Sequence, residues 1–439
     1  DRLEALHPTL ECVVTLLPER ALAQAAERDA ELAEGIDRGP LHGIPWGAKD
    51  LLSVAGAPTT WGAAPYRDQV LDQDAEVVRR LDEAGAVLVA KLSLGALAWG
   101  DVWFGGTTRN PWNSEQGSSG SSAGSASAVA AGAVPFAIGS ETLGSLVSPS
   151  VRCGVTSLRP SFGRISRTGA MTLSWSMDKL GPMTRSIEDA TLVFDALRGP
   201  AAEGELDLAV LTVPADLPEP DFHMDDFDRF LPLDLRVGIP VGAEEDPILV
   251  QALAELHAAL VVRNLDLETV PFEVPDYPVG AMLLTLTAEA AAAFDELTTS
   301  GLDDGLTRQS RDAWPNVFRA ARLIPAVEYI NAQRLRAGLV RDMEAGLQGV
   351  DLVLHPPFAG GILSATNLTG HPTVTAPIFL AEGDRPNHPR GICFTGRLYD
   401  EPWLLAVARL WQETGEHHLR HPDLDLDSPA PDPGAPAED

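Results

Sequence analysis

Two serine-rich stretches decide how this chain folds and what chemistry it can carry: Gly120-Ser121-Ser122-Ala123-Gly124 and Gly139-Ser140-Glu141-Thr142-Leu143-Gly144-Ser145. A lysine precedes both of them, in the apolar stretch Gly43-Ile44-Pro45-Trp46-Gly47-Ala48-Lys49-Asp50. The chain has only three lysines, against 29 arginines. A buried lysine can lose its proton, whereas an arginine cannot. The pattern therefore indicates a site that needs a neutral amine.

Two serines and a lysine that can lose its proton suffice for nucleophilic acyl transfer without a histidine. The neighbours of Lys49, among them Trp46 and Leu51, favour a buried strand, and burial lowers the pKa of an amine. Asp50 would oppose this effect if its carboxylate lay beside the amine. Adjacent residues on a strand face opposite sides, so we expect Asp50 to point away from Lys49.

Other interpretations of the serine-rich stretches remain open at this point. Ser121 and Ser122 could belong to a plain Gly/Ser loop. Gly120 to Gly124 also fits the G-x-S-x-G nucleophile elbow, which would make Ser122 the nucleophile. That elbow must follow a buried strand, whereas here a polar loop over 110–116 precedes it. Phosphate binding is disfavoured, because the chain has no G-x-x-x-x-G-K-[ST] sequence.

Composition excludes several classes of function. The 439 residues carry a formal charge of −31, which disfavours nucleic acid and anionic membranes as partners. No apolar stretch reaches the roughly 20 residues that cross a bilayer. Cys12, Cys153 and Cys393 are too scattered for a disulfide framework or a metal site, so we expect a reducing cytoplasm and no metal. The sequence starts at Asp1 and not at Met, so a removed leader stays possible.

Local patterns predict an α/β protein. Helices are expected over 18–34, 74–84 and 123–131, and strands over 86–90 and 134–139, with Gly85 capping the second helix. Helix–glycine–strand alternation of this kind favours a sheet covered by helices. Further on, we expect a strand over 235–242 and helices over 246–264, 288–294 and 320–343.

The stretch from Gly43 to about Arg185 resembles the amidase signature family, and the resemblance returns from about 354 to 412. The matching segments are GIPWGAKD, TTRNPWN, GSSGSSAGSASAVAAGAVP, GSETLGSLVSPS, CGVTSLRPSFGRISRTGA, DKLGPMTRSIEDA, NLTGHPTVTAP and GICFTGRLYDEPWLLAVA. The resemblance implies a mixed twisted β-sheet covered by helices on both faces. It also implies one catalytic domain over 1–421, with 200–345 as a variable subdomain at the substrate entrance. The acidic, Pro-rich tail over 422–439 is expected to be disordered.

The resemblance assigns roles to individual residues. Ser145 would be the nucleophile, Ser121 the bridging serine after a cis Gly120–Ser121 peptide bond, and Lys49 the base. The backbone amides of Thr142, Leu143, Gly144 and Ser145 would form the oxyanion hole. No cofactor is implied. The same resemblance places the substrate pocket at Leu97, Trp99, Trp103 and Ser122, while packing of the tryptophans in the core stays open as the alternative.

The chain departs from the common family pattern around the nucleophile. Glu141 and Leu143 stand where aspartate and glycine are usual, Ser119 replaces a glycine, and Val147 replaces an arginine. The missing cation at Val147 and the nearby tryptophans predict neutral aryl or medium-chain acyl amides as substrates. We expect a monomer or a homodimer acting on a small molecule.

Three alternatives to a neutral amide hydrolase stay open. Carbamate or ester cleavage would use the same three side chains. The glutaminase subunit of a tRNA-dependent amidotransferase would require partner subunits, and both Val147 and the charge of −31 count against it. A non-catalytic binding protein on the same fold is disfavoured by the intact Lys49, Ser121 and Ser145.

Overall fold

The computed structural model describes residues 1–199, 234–381 and 388–424. The helices of these residues are α1 (Arg2–Leu10), α2 (Pro18–Ala33), α3 (Glu76–Glu83), α4 (Ala123–Ala130), α5 (Val147–Cys153), α6 (Ile187–Leu197), α7 (Pro247–Val261), α8 (Val279–Met282), α9 (Leu284–Ala293), α10 (Asp295–Thr299), α11 (Trp314–Ala321), α12 (Ala326–Leu347), α13 (Ile362–Thr369) and α14 (Glu401–Gly415). The strands are β1 (Val13–Leu16), β2 (Pro45–Lys49), β3 (Val87–Leu92), β4 (Val102–Trp103), β5 (Gly106–Thr107), β6 (Arg109–Asn110), β7 (Asn113–Gly117), β8 (Phe136–Glu141), β9 (Thr156–Arg159), β10 (Lys179–Thr184), β11 (Asp234–Pro240), β12 (Asp266–Phe272), β13 (Leu352–His355), β14 (Thr373–Ile378) and β15 (Arg390–Thr395).

Eleven of the described strands form one mixed sheet, in the order β1-β3-β2-β8-β10-β9-β14-β15-β13-β11-β12. Strands β2, β3 and β8 run parallel to one another, and so do β11, β12 and β13. In the middle of the sheet, β8, β10, β9, β14 and β15 each pair antiparallel with the next strand in this order. The predicted mixed sheet is therefore confirmed.

Helices cover both faces of the sheet, as the alternation along β8 illustrates. Phe136 and Ile138 belong to the larger apolar core, which also contains side chains of α3, α6, α7 and α14. Ala137, between them, packs into a second core with side chains of α1 and α4. Successive residues of a strand point to opposite faces, so a strand buried on both faces is apolar throughout.

The fold brings Lys49 and the two serine-rich stretches to one edge of the sheet. Strands β2 and β8 pair in parallel, with Ala48 opposite Ile138, so both end at the same edge. Helix α4 packs against β8 and precedes it in the chain. Its first turn, which follows Ser121 and Ser122, lies where β8 ends. Carboxyl ends of parallel strands are a common location for sites in α/β proteins.

Most elements predicted from the sequence are present, with shifted ends. The predicted strand over 134–139 is β8, Phe136–Glu141, and the predicted helix over 18–34 is α2, Pro18–Ala33. The helix predicted over 320–343 is wrong as a single element. Helix α11 ends at Ala321 and α12 begins at Ala326. Pro325 causes this break, because proline disfavours the helical conformation in the residue before it.

The variable region contributes to the same sheet. Strands β11 and β12 lie at one edge of it and pair in parallel over seven residues each. Helix α7 connects these two strands, and α8 to α12 follow β12 in the chain. Its role at a substrate entrance stays a prediction. The stretch 200–233 and the tail from 425 onward lie outside the described residues, so the expected disorder of the tail is not addressed. No described helix is both long and apolar enough to span a membrane.

Candidate active site

Lys49 ends strand β2 with its side chain completely buried. Its Nζ lies 2.8 Å from Ser121 Oγ and 2.8 Å from Ser140 Oγ. A third hydroxyl, Ser122 Oγ, lies 3.0 Å away. The amine is thus enclosed by three serine hydroxyls, two from the start of α4 and one from β8.

Burial dominates the electrostatics of Lys49. Removal from water lowers its pKa well below the ordinary 10.5, and the charges of Asp178 and Glu141 offset only part of this effect. The carboxylate of Asp50 is engaged elsewhere: it lies 2.6 Å from Lys91 Nζ and accepts a hydrogen bond of 2.9 Å from the Thr60 amide. Asp50 therefore points away from Lys49, as expected from strand geometry.

The other two lysines of the chain are also buried. Lys91 is 0% exposed and Lys179 is 2% exposed, and burial lowers the pKa of both. Lys91 binds Asp50, whereas Lys179 donates a hydrogen bond to the Met177 carbonyl. Within the described residues, Lys49 is the lysine whose side-chain amine hydrogen-bonds to the serine-rich stretches.

The hydroxyl groups of Ser121 and Ser122 differ in where their protons are directed. Ser122 Oγ donates to the Ser140 carbonyl over 3.0 Å and accepts from the Ser140 amide over 3.1 Å. Since its proton is already engaged, Ser122 can only accept from Lys49. Ser121 has no such backbone acceptor among the described residues, so its proton is available to a neutral amine. The Gly120–Ser121 peptide bond is cis, as the resemblance implied.

Ser145 lies in the loop between β8 and α5 and is 8% exposed. Its carbonyl accepts a 3.2 Å hydrogen bond from the Ser122 amide, which ties the two serine-rich stretches together. Within the described ranges, its hydroxyl makes no hydrogen bond, so Lys49 and Ser121 are joined while Ser121 and Ser145 are not. Hydrogen bonds between catalytic groups are often long without substrate.

The backbone before Ser145 presents free donors. Gly144 has a φ of +83°, in the left-handed region that glycine adopts without strain. The amides of Leu143, Gly144 and Ser145 have no acceptor in the part of the chain that the structure describes. Adjacent free amides of this kind can bind one developing oxyanion. The predicted roles of these amides and of the three side chains nevertheless stay predictions.

Glu141 holds the loop that carries Ser145. Its Oε2 accepts from the amides of Leu146 and Val147 at the start of α5, over 2.8 and 3.0 Å. Its Oε1 accepts from the Arg159 guanidinium over 2.7 Å. Burial alone would raise the pKa of Glu141, but the Arg159 charge, the hydrogen bonds from Arg159 and the Val147 amide, and the Lys179 charge together outweigh it, and the pKa falls to about 2. The chain thus keeps an ionised carboxylate under the loop.

A cavity of about 470 Å³ lies beside these groups. Ser140 and Thr142 form the part of its wall next to Lys49 and the loop that carries Ser145. The segment between β9 and β10 forms much of the remaining wall, with Met171, Leu173, Trp175 and Asp178. Asp178 accepts a 2.6 Å hydrogen bond from the Thr142 hydroxyl, and burial raises the pKa of its carboxyl.

The four residues predicted to line the substrate pocket do not line this cavity. Ser122 is fully buried under Lys49. Trp103 is 5% exposed and donates its indole N–H to the Glu11 carbonyl. Trp99 packs edge-on against Trp314 at 4.6 Å, and the Leu97 carbonyl accepts from the Trp314 indole. None of the four is part of the wall of the 470 Å³ cavity, and their contact with a substrate stays a prediction.

Sequence reasoning missed the third hydroxyl and most of the cavity wall. Ser140 lies near the end of β8, just before the loop that carries Ser145, and its place beside Lys49 follows from the parallel register of β2 and β8. Local sequence patterns do not contain that register. Asp178 had a weak signal, because it opens the DKLGPMTR segment. No group of three or more potential metal ligands was found among the described residues.

Comparisons with known proteins agree with this geometry. The amidase family's sequence profile matches residues 1–376. A glutamyl-tRNA(Gln) amidotransferase subunit of Moorella thermoacetica is 31% identical, over 97% of this chain and 93% of its own. The Methylococcus capsulatus protein of the same name is 32% identical, over 96% and 93%.

Solved structures point the same way. The peptide amidase of Stenotrophomonas maltophilia superposes with a TM-score of 0.79 at 29% identity, covering 97% of this chain and 93% of its own. A complex of the peptide amidase PAM with the competitive inhibitor chymostatin gives a TM-score of 0.80 at 29% identity, over 96% and 94%. On the profile match and these relatives, the chain belongs to the amidase family of enzymes.

Proposed function

We propose that the chain is an amidohydrolase that cleaves neutral aryl or medium-chain acyl amides through an acyl-enzyme on Ser145. The observation that carries the proposal is the buried amine of Lys49, 2.8 Å from the Ser121 hydroxyl and lowered in pKa by burial. A neutral amine has a lone pair that can accept the Ser121 proton. Ser121 can then accept the proton of Ser145 as this residue attacks the substrate.

The proposed steps conserve atoms and protons. Ser145 Oγ bonds to the amide carbonyl carbon, and its proton passes through Ser121 to Lys49. The backbone amides of Thr142, Leu143, Gly144 and Ser145 stabilise the negative oxygen of the tetrahedral intermediate. Lys49 returns the proton through Ser121 to the leaving amine as the C–N bond breaks. Water then cleaves the acyl-enzyme by the same relay run again.

The proposed preference for neutral substrates rests on how the nearby cations are used. Val147 is fully buried and supplies no charge. The Arg159 guanidinium, also buried, binds Glu141, the His371 carbonyl and the Thr373 hydroxyl. The Arg167 guanidinium at the cavity wall donates to the Trp175 carbonyl and lies 5.0 Å from the Phe162 ring centre. The apolar wall residues Leu51, Met171 and Leu173 fit an aryl or alkyl group.

A second candidate is the glutamine-hydrolysing subunit of an amidotransferase, which the names of the two curated relatives favour. It would use the same Ser145 chemistry on a different substrate. Carbamates and esters would also be cleaved by this relay, because each presents a carbonyl carbon and a leaving group to Ser145.

One set of measurements tests these proposals. The purified chain, without partners, is assayed on anilides, aliphatic amides, carbamates, esters, glutamine and asparagine, and treated with a phosphonyl fluoride for intact-mass analysis. We expect one adduct on Ser145, and a loss of kcat/KM of about 10⁴-fold or more in Ser145→Ala. Ser148→Ala is the matched control. It should still form the adduct on Ser145 and keep the kcat/KM of the unaltered chain.

The outcomes separate the candidates. A higher kcat/KM for a neutral anilide than for glutamine or asparagine supports the proposal. The reverse order, or activity that appears only with added subunits, would favour the amidotransferase function. An adduct on Ser122 would show that the nucleophile elbow operates instead. Absence of any adduct or turnover in the folded chain would favour a binding protein.

A further inference from the structure

The segment between β9 and β10 forms one wall of the cavity. Residues of this segment that do not line the cavity contact the variable region. The segment's residues Leu173, Trp175 and Asp178 line the cavity, whereas Ser174 and Ser176, on either side of Trp175, bind Glu289 of α9. Trp175 is 50% exposed, so the wall runs from the nucleophile loop out to the surface. The position of this segment therefore sets the shape of the cavity.

Glu289 on α9 accepts hydrogen bonds from the polar groups of this segment. It is only 6% exposed. Its carboxylate accepts hydrogen bonds from the Ser174 hydroxyl, from the Ser176 hydroxyl over 2.7 Å and from the Ser176 amide over 3.1 Å. Tyr329 and Gln333 of α12 donate to the same carboxylate over 2.7 and 3.3 Å. One buried anion thus joins the wall to two helices.

Two further contacts hold the same segment. Arg336 on α12 donates to the Ser176 hydroxyl over 2.6 Å and also to the Leu368 carbonyl. Met177, fully buried, packs in an apolar cluster with Met282, Leu339 and Leu368. Glu289, Arg336, Met282 and Leu339 all lie outside the segments that resemble the amidase signature. The wall is therefore held in place by residues of the variable region.

The Glu289 carboxylate accepts hydrogen bonds from five donors, which a neutral side chain of the same size cannot do. Hydrogen bonds to an ionised acceptor are roughly twice as strong as neutral ones. Glutamine at the same position has one acceptor oxygen and an NH₂ group that would face hydroxyl and amide donors. The substitution keeps the volume but leaves donors of the wall without an acceptor, so the segment should shift or loosen.

We propose that Glu289 is a positioning residue, which holds the segment over 171–178 in place and thereby selects substrates whose acyl or aryl group reaches Leu173 and Trp175. The selection rests on the proposed function, because it concerns substrates of the Ser145 reaction. Short acyl groups react next to Ser140 and Thr142, and do not extend to Leu173 and Trp175. Their turnover should not depend on Glu289.

The test compares two amides with the same leaving amine, an acetyl amide and a benzoyl or octanoyl amide. In Glu289→Gln we expect kcat/KM for the longer substrate to fall by about 10- to 100-fold, chiefly through KM, with the acetyl amide changed by less than about twofold. Glu289→Asp, which keeps the charge, should recover part of the loss. Glu328→Gln removes an exposed carboxylate of α12 and is the matched control.

Hydrogen exchange provides a readout that is independent of catalysis. Peptides that cover 171–178 should exchange faster in Glu289→Gln than in the unaltered chain, while peptides from β8 stay unchanged. Equal losses on both substrates, or unchanged selectivity with unchanged exchange, would overturn the inference. If the unaltered chain cleaves no amide at all, the proposed function fails, and the exchange measurement still tests the hold of Glu289 on the wall.

Discussion

The residues next to Lys49 in the sequence predict its burial but not the ion pairs around it. The apolar sequence around it predicted burial, and the side chain is fully buried. The partner of Asp50 could not be predicted, because Lys91 lies 41 positions further on and meets Asp50 only through the parallel pairing of β2 with β3. The sequence identifies the candidate base, but the charge next to it depends on register, which local patterns do not contain.

Activity should depend on deprotonation of Lys49. Because burial lowers its pKa well below 10.5, kcat/KM should rise with pH along a limb whose midpoint lies below that value. Lys49→Arg keeps a cation that cannot act as a base, so it should lose about 10²–10⁴-fold, as should Lys49→Met. A pH–rate series on the three proteins checks this, with circular dichroism to establish folding. Substantial activity in Lys49→Arg would mean that the lysine acts only as a fixed charge.

The lowered pKa of Lys49 also predicts a difference in stability between the unaltered chain and Lys49→Met. Between the lowered folded pKa and the ordinary 10.5, the unfolded chain binds more protons at Lys49 than the folded chain does. The free energy of unfolding therefore rises with pH in this window, by at most about 1.4 kcal/mol per pH unit for this one group. Lys49→Met should lack that contribution. Urea unfolding of both proteins at several pH values checks it; parallel pH dependences would contradict it.

At the scale of elements, the strand–loop–helix unit of β8 and α5 was only partly predictable. The small, apolar residues indicated the packed helix α4 and the buried strand β8. The function of Glu141 was missed, because its partners Arg159 and Asn367 come from β9 and α13. A carboxylate that accepts the first amides of α5 also suits the positive end of a helix, but α5 is too short to be recognised from periodicity.

Glu141→Gln should weaken this unit in a pH-dependent manner. The folded pKa of about 2 lies below the ordinary 4.5, so Glu141 contributes stability above pH 4.5 that is lost as the pH falls towards 2. Removing one partner of a buried ion pair costs about 3–5 kcal/mol, because the Arg159 charge is left uncompensated. We expect a loss of that size at pH 7, and a smaller difference from the unaltered chain in acid. Denaturant unfolding at pH 7 and at pH 3 measures it.

The exposed Glu115 on β7 provides the control for that prediction. Glu115→Gln should change the free energy of unfolding by less than about 0.5 kcal/mol at either pH. Equal effects of the two substitutions would show that the Glu141–Arg159 pair contributes nothing specific to the loop before α5.

At the scale of the whole molecule, fold class was predictable while connectivity was not. Alternating helix and strand patterns indicated an α/β sheet, and the resemblance indicated its mixed direction. The placement of β11 and β12 beside β13 depends on pairing between strands more than 100 residues apart, with Val237 opposite Leu352. Likewise, the cavity wall depends on contacts between Glu289 and a segment more than 100 positions earlier. Long-range contacts of this kind leave no periodic signal in the chain.

The charge of −31 predicts a salt-dependent stability. Self-repulsion destabilises the compact state, and salt shortens the range of that repulsion from about 30 Å at 0.01 M to about 3 Å at 1 M. The Tm should therefore rise by at least about 2 °C between 0.01 and 0.5 M sodium chloride. Differential scanning calorimetry at constant pH measures it, with sucrose of equal osmolality as the uncharged control. A constant or falling Tm would show that local ion pairs outweigh the net charge.

The burial of all three lysines gives the folded protein an unusual surface chemistry. Lys49, Lys91 and Lys179 are the only ε-amino groups of the chain, and none is more than 2% exposed. Reagents that acylate or cross-link amines consequently meet no lysine on the native molecule. The same reagents gain three targets as soon as the sheet opens. Reactivity at the lysine ε-amines is thus a direct reporter of unfolding in this protein, and immobilisation through lysine would select molecules that have already lost their native structure.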